Sequence, residues 1–140
     1  MRSSAKLIVF AVILLLIYFV VLYFLYVLDA PIQGVLVLSL FFSLIALVRY
    51  LDYIASERKP VLLLGLILGF ITGIWLGNYI VSEALKQITE NIKTYTDPRI
   101  QQYILIGLTS LMQKTSIAWS TTLGIIGASL GITAVDHLTE

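Results

Sequence analysis

Residues 65–77 read GLILGFITGIWLG, with Gly65, Gly69, Gly73 and Gly77 at strict four-residue spacing in an otherwise bulky, apolar stretch. Residues four apart stack along one face of an α-helix, so the glycines form a smooth groove on that face. In a bilayer, small residues at this spacing let another helix approach closely and gain van der Waals contact. The stretch predicts a membrane helix that packs through a glycine zipper. It does not point to a reaction.

The composition places the rest of the chain in the same solvent. Of 140 residues, 59% are hydrophobic and only 12% charged, against about 25% charged in an average soluble domain. Too few charges are available to coat a globular surface in water. A formal net charge of +1 with no basic patch argues against nucleic acid as a partner. With no cysteine, disulfides, thiolate metal sites and cysteine nucleophiles are all excluded. His137 is the single histidine, so no metal or haem site can be built on several histidines of this chain.

Working outward from the glycines, four spans emerge. Leu7 to Leu28 is an unbroken apolar run of 22 residues, and about 20 suffice to cross a ~30 Å hydrocarbon core. It exceeds a signal-peptide core of ~7–15 residues and reads as a retained helix. Its Phe10, Tyr18, Phe19, Tyr23, Phe24 and Tyr26 suggest a bulky surface for lipid. Asp29-Ala30-Pro31 makes a turn, with Pro31 suited to the first helical position. A second span covers about 32–55, with Ser39 and Ser43 as a short small-residue face. Arg49 and Asp52 are placed to pair near its end, and Tyr50 and Tyr53 are expected as interfacial aromatics. Residues 1–60 thus form a first transmembrane hairpin, with spans of about 7–28 and 32–55.

Residues 61–140 form a second, longer hairpin, with helices of about 61–95 and 98–135. Beyond Ile80 the third helix turns amphipathic. Val81, Leu85, Ile88, Ile92 and Tyr95 continue one stripe, while Glu83, Lys86, Glu90 and Lys93 occupy the other face at pairing distances. At 1.5 Å per residue it projects ~20 Å past the hydrocarbon. Thr96-Asp97-Pro98 stops it, with Asp97 as N-cap of the next helix. There Ile100, Tyr103, Ile104, Gly107, Leu108, Leu111 and Met112 recur at helical spacing. Folding about Thr96-Asp97 sets Ile92 against Ile100, Ile88 against Ile104 and Leu85 against Leu108. Deeper in, Gly69 meets Gly124, and Gly65 comes near Gly127-Ala128-Ser129. The fold expected is all-α and membrane-integral, with two antiparallel hairpins, the second projecting beyond the bilayer.

The glycine row could serve this contact, with Gly124, Gly127 and Gly131 opposite, or dock another subunit or copy. Basic residues bracket the first two spans: Arg2 and Lys6 before the first, Arg49, Arg58 and Lys59 after the second. That bias places the N- and C-termini in the cytoplasm, although Lys86, Lys93, Arg99 and Lys114 on the hairpin oppose it. Asp29-Ala30-Pro31 loosely echoes Asp97-Pro98, but the flanking helices do not match, so no repeat is read.

No constellation announces chemistry. Thr72, Asn78, Ser120, Thr121, Thr122 and Ser129 could line a pore, but serine and threonine in helices usually bond back to the preceding turn. Asp52 and Glu83 lie at helix ends, with Arg49 and Lys86 at hand. Asp136, His137 and Glu140 fall in a terminal tail, where side chains are usually solvated. No Ser/His/Asp set or phosphate-cradling loop occurs. No enzyme activity, cofactor or metal is expected. The sequence points to a non-catalytic structural or accessory subunit in the bilayer, bound to other membrane subunits or to itself as a homo-oligomer. A holin-like or channel-like pore former is the alternative, and a small transporter a weaker one.

Overall fold

A computed structural model of the chain describes residues 3–92, 94 and 97–139. These residues are all-helical apart from the turns, with four helices long and apolar enough to cross a membrane. They are α1 (Ser3–Val27), α2 (Ile32–Glu57), α3 (Leu62–Ile92) and α4 (Pro98–Leu138). Arg2, Lys93, Tyr95, Thr96 and Glu140, which entered the orientation, stripe, turn and tail expectations, lie outside the described residues.

The connections follow turn chemistry. Asp29 closes the first turn at a left-handed φ of 54°, a conformation aspartate tolerates better than most residues. Pro31 sits one position earlier than expected, as the N-cap residue of α2. Arg58 ends α2 at φ 57°, and its N–H donates to the Ile54 and Ala55 carbonyls, the usual way a helix C-terminus is sealed. Asp97 caps α4, accepting from the Arg99 N–H at 3.2 Å, with Pro98 following as the first helical residue.

α4 is the hub. It touches α1, α2 and α3, whereas α2 meets α3 only sparsely and α1 does not reach α3 among the described residues. Its composition explains this. Between Ala118 and Ala134 it carries glycine, alanine, serine and threonine on several sides, so neighbours can approach from more than one direction. α1 packs by a single face, Leu7, Ala11, Leu14, Leu15, Tyr18 and Leu22. Its other sides expose Phe19, Tyr23 and Phe24. Tyr18 therefore departs from the bulky-surface expectation. It is fully buried and shares a 2.7 Å hydrogen bond with Ser39 of α2.

Two ion pairs set the levels of the bundle. Asp29, in the α1–α2 turn, lies 3.8 Å from Lys114 of α4. Lys59, in the α2–α3 connector, lies 2.9 Å from Asp136 near the end of α4. The stretch of α4 between those levels is roughly 33 Å at 1.5 Å per residue, close to a hydrocarbon core of ~30 Å. Pro98 to Gln113 continues past the Asp29 turn for roughly 24 Å.

Gly107 lies in that outer stretch, and a methyl group there would meet nothing within 4 Å. Alanine costs a helix interior about 0.8–1 kcal/mol less than glycine. Gly107→Ala should therefore raise the melting midpoint by a few degrees, read by circular dichroism in mild detergent.

Candidate functional site

The glycines of α3 face the backbone of α4. A Cβ at Gly65 would collide with the Gly131 carbonyl, and one at Gly69 with the Gly127 carbonyl. One at Gly73 would hit the Leu123 carbonyl, and one at Gly77 would stand 2.7 Å from the Ser120 Cα. Gly65, Gly69, Gly73, Gly77, Gly127 and Gly131 are thus brought together. At Gly124 an added methyl would meet side chains, Ile74 Cγ1 at 3.2 Å among them. The register differs from the expected one by about a helical turn: Gly69 lies on Gly127, not Gly124, and Gly65 on Gly131. In the observed register glycine lies on glycine at two successive levels, where the backbones approach most closely.

The outer contact differs by rotation. Leu85, Ile88, Ile92 and Leu108 are half-buried, but Ile100 and Ile104 are exposed. The side of α4 turned inward there is Gln101, Leu105, Leu108 and Met112, and Gln101 Nε2 donates to the Ile92 carbonyl at 3.4 Å. Leu108 and Met112 of the expected stripe are on that side, while Ile100 and Ile104 give way to Gln101 and Leu105, one position on, or about 100° on a 3.6-residue turn. The inner seam fixes the rotation of α4. Stepping outward from Ser120 by threes and fours leads to Ser116, Met112, Leu108, Leu105 and Gln101. Among the described residues, Glu83, Lys86 and Glu90 form no ion pair with one another, unlike Arg49 and Asp52 at 3.6 Å.

Several polar side chains of the apolar helices are tied to neighbours, although the buried Tyr26 hydroxyl has no partner among the described residues. Ser116 and Ser120 donate to Asn78 Oδ1 at 2.8 and 3.0 Å, across the α3–α4 seam. Thr121, Thr122 and Thr133 bond back to carbonyls one turn earlier. Tyr50 and Tyr53 are buried inside the bundle. The Tyr50 hydroxyl donates to the Ile125 carbonyl at 3.0 Å and the Tyr53 hydroxyl to Asp136 Oδ2 at 3.2 Å. Asp136 corrects the tail reading: it is helical and buried, and it also accepts from Lys59 Nζ at 2.9 Å. His137, next to it, is exposed. No group of three or more histidine, cysteine or acidic side chains converges as a metal site among the described residues.

Because α2 and α3 barely meet, a groove floored by α4 opens between them. Its inner part, about 460 Å³, is walled by Leu44, Leu47, Leu66, Phe70 and Ile125. A second part of about 360 Å³ continues it past Ser43 and Phe70 to Asn78, Ser116, Ser120 and Thr121. No protein family, curated protein or solved structure matches the chain.

Proposed function

We propose that this chain is a multi-pass membrane protein of two antiparallel hairpins, with both termini cytoplasmic, serving as a non-catalytic accessory subunit of a membrane assembly. The observation that carries this reading is the outward surface of α4 beyond the Asp29–Lys114 level. Ile100, Tyr103 and Ile106 form a row there at three-residue spacing, with Tyr103 80% and Ile106 70% exposed. Apolar side chains grouped outside the hydrocarbon mark a contact surface. The pore alternative would use the glycine face between copies, but α4 already occupies that face within one chain.

A photo-reactive residue at position 103 should give one discrete protein adduct in native membranes, while one at Leu64, exposed on α3, should give none. The double variant Tyr103→Glu, Ile106→Glu should leave the melting behaviour within ~0.5 kcal/mol, as surface changes do, yet dissolve the assembly on native gels. A chain that runs as a monomer before and after the change, or sized conductance steps from the pure protein in planar bilayers, would overturn the reading.

A further inference from the structure

One face of α4 carries a seven-residue repeat of apolar or small residues along most of its length. Its a and d positions are Ile100, Ile104, Gly107 and Leu111 in the outer stretch, then, past Lys114, Ala118, Thr121, Ile125, Ala128 and Ile132. The inner residues of this seam are all buried, and α2 reaches them where Tyr50 bonds the Ile125 carbonyl. α3 takes another side of α4, through Ser120, Leu123, Gly127 and Gly131. Lys114 occupies the d position between the two halves and meets Asp29, where the α1–α2 hairpin turns back. Beyond that level the same face stays apolar for about three turns. There Ile100, Ile104, Gly107 and Leu111 are exposed. A seam at this spacing packs against a helix of matching spacing, as its inner half already does.

The partner that fits is the same seam running the other way. The intervals Ile100-Ile104-Gly107-Leu111 are four, three and four residues, identical in both directions. Antiparallel pairing of two copies sets Ile100 beside Leu111 and Ile104 beside Gly107, a two-fold contact between identical surfaces. The bulky isoleucine then enters the space that glycine leaves, where a methyl group would meet nothing within 4 Å in its own chain. The ends match in charge. Asp97 of one copy comes level with Lys114 of the other, and Arg99 comes within about 3 Å of the level of Asp29, whose carboxylate is fully exposed. Parallel pairing is blocked. Two straight helices side by side above the α1–α2 turn stay so below it, where α1 and α2 already stand against α4. It would also set Arg99 beside Arg99.

We propose that two copies of this chain pair antiparallel through the outer seam of α4 and, each standing on its own bilayer, join two facing membranes. The inference names a partner for the outer surface and rests on the membrane-spanning reading above. The chain holds no cysteine, so introduced cysteines report the pairing. Full-length Ile100→Cys and Leu111→Cys chains are reconstituted in separate dioleoyl phosphatidylcholine vesicles, mixed and treated with a mild oxidant. The mixture should cluster and give a disulfide-linked dimer. Either population alone should give no such band, since its two cysteines would lie roughly 17 Å apart along the seam. Gly107→Leu in both chains should cut the band at least about ten-fold by filling the space that Ile104 enters. It should not lower the melting midpoint, because leucine suits a helix interior better than glycine. Ile104→Gly with Gly107→Ile exchanges knob and space and should restore the band. A band from either population alone would assign the seam to copies side by side in one membrane and overturn the proposal. So would a mixture without a band, or a band that Gly107→Leu leaves unchanged. Chains that separate from floated vesicles would overturn the membrane reading itself, a result distinct from the others.

Discussion

Replacing Gly69 with leucine is expected to lower the melting midpoint in mild detergent by roughly 10–15 °C, the largest effect of any single substitution in α3. At this position the neighbouring atoms are the Gly127 carbonyl and the Ala128 nitrogen, all backbone. A side chain can rotate away from an intruding methyl, but a helix backbone cannot yield without moving the whole helix. Overpacking a core typically costs about 1–3 kcal/mol. Here the upper end or more applies, because separating α3 from α4 also removes contacts at Gly65, Gly73 and Gly77. About 3 kcal/mol corresponds to the quoted shift for a chain of this size. Gly69→Ala should already show much of the loss, whereas Gly124→Ala, which meets only the movable Ile74 and Phe70 side chains, should show little. If Gly69→Leu melts like wild type, the two backbones do not meet. If it melts normally but loses a higher band on native gels, the row faces another molecule.

The four helices were legible because length and hydropathy decide them locally. Asp97-Pro98 marked the start of α4 for an equally local reason, a cap and a ring that suits the first turn. The register of α3 on α4 was legible only to within a turn. Glycines at 65, 69, 73 and 77 can slide by four residues along Gly124, Gly127 and Gly131 and still find a small residue, so composition alone did not choose. The outer stripe was legible only in part, for a related reason. Of the expected Ile100, Tyr103, Ile104, Gly107, Leu108, Leu111 and Met112, only Leu108 and Met112 are turned inward, and Gln101 and Leu105 join them on a row of equal helical periodicity. Rotation of a long helix is set where contact is tightest, some ten residues or more away. An exposed apolar flank on the outer part of α4 is what that rotation leaves behind, and it is the surface proposed above to meet a partner.

The buried tyrosines and Asp136 were missed although a signal was present. In α2 the row Val35, Ser39, Phe42, Ala46, Tyr50 and Tyr53 keeps a spacing of three or four and is buried throughout. Tyrosine near a span end was read for its depth alone, and its place in that row is what turns it toward the other helices. In α4 the row Thr121, Ile125, Ala128, Ile132 and Asp136 does the same. Following it to its end places the carboxylate on the buried face. Proximity to the chain terminus weighed against that reading, yet the helix continues to Leu138.

That carboxylate ties three segments: α2 through Tyr53, the α2–α3 connector through Lys59, and the end of α4. Asp136→Ala is accordingly expected to cost about 2–3 kcal/mol, seen as a fall of roughly 8–12 °C in the melting midpoint. The Asp136 side chain is 12% exposed and that of Lys59 34%, so one partner is largely removed from water while the other keeps access to it. Removing the buried acceptor takes away two hydrogen bonds together, whereas Lys59→Met leaves the Tyr53 bond and Tyr53→Phe leaves the Lys59 bond. Each of those single changes should cost about 1 kcal/mol. In a double-mutant cycle, Asp136→Ala with Lys59→Met should be less damaging than the two costs added, since each removes the other's partner. Because Lys59 is partly hydrated, that coupling should shrink as salt is raised, through screening at distances set by a Debye length of about 8–10 Å. Asp52→Ala supplies the contrast. Its pairing with Arg49 lies on the surface, with the carboxylate side chain 76% exposed, and its loss should stay within ~0.5 kcal/mol. Equal, small effects at Asp52 and Asp136 would mean that the end of α4 is solvated and does not close the bundle beside the α2–α3 connector. Cleavage by added protease at the Arg58-Lys59 connector reads the same point independently: it should accelerate in Asp136→Ala and not in Asp52→Ala.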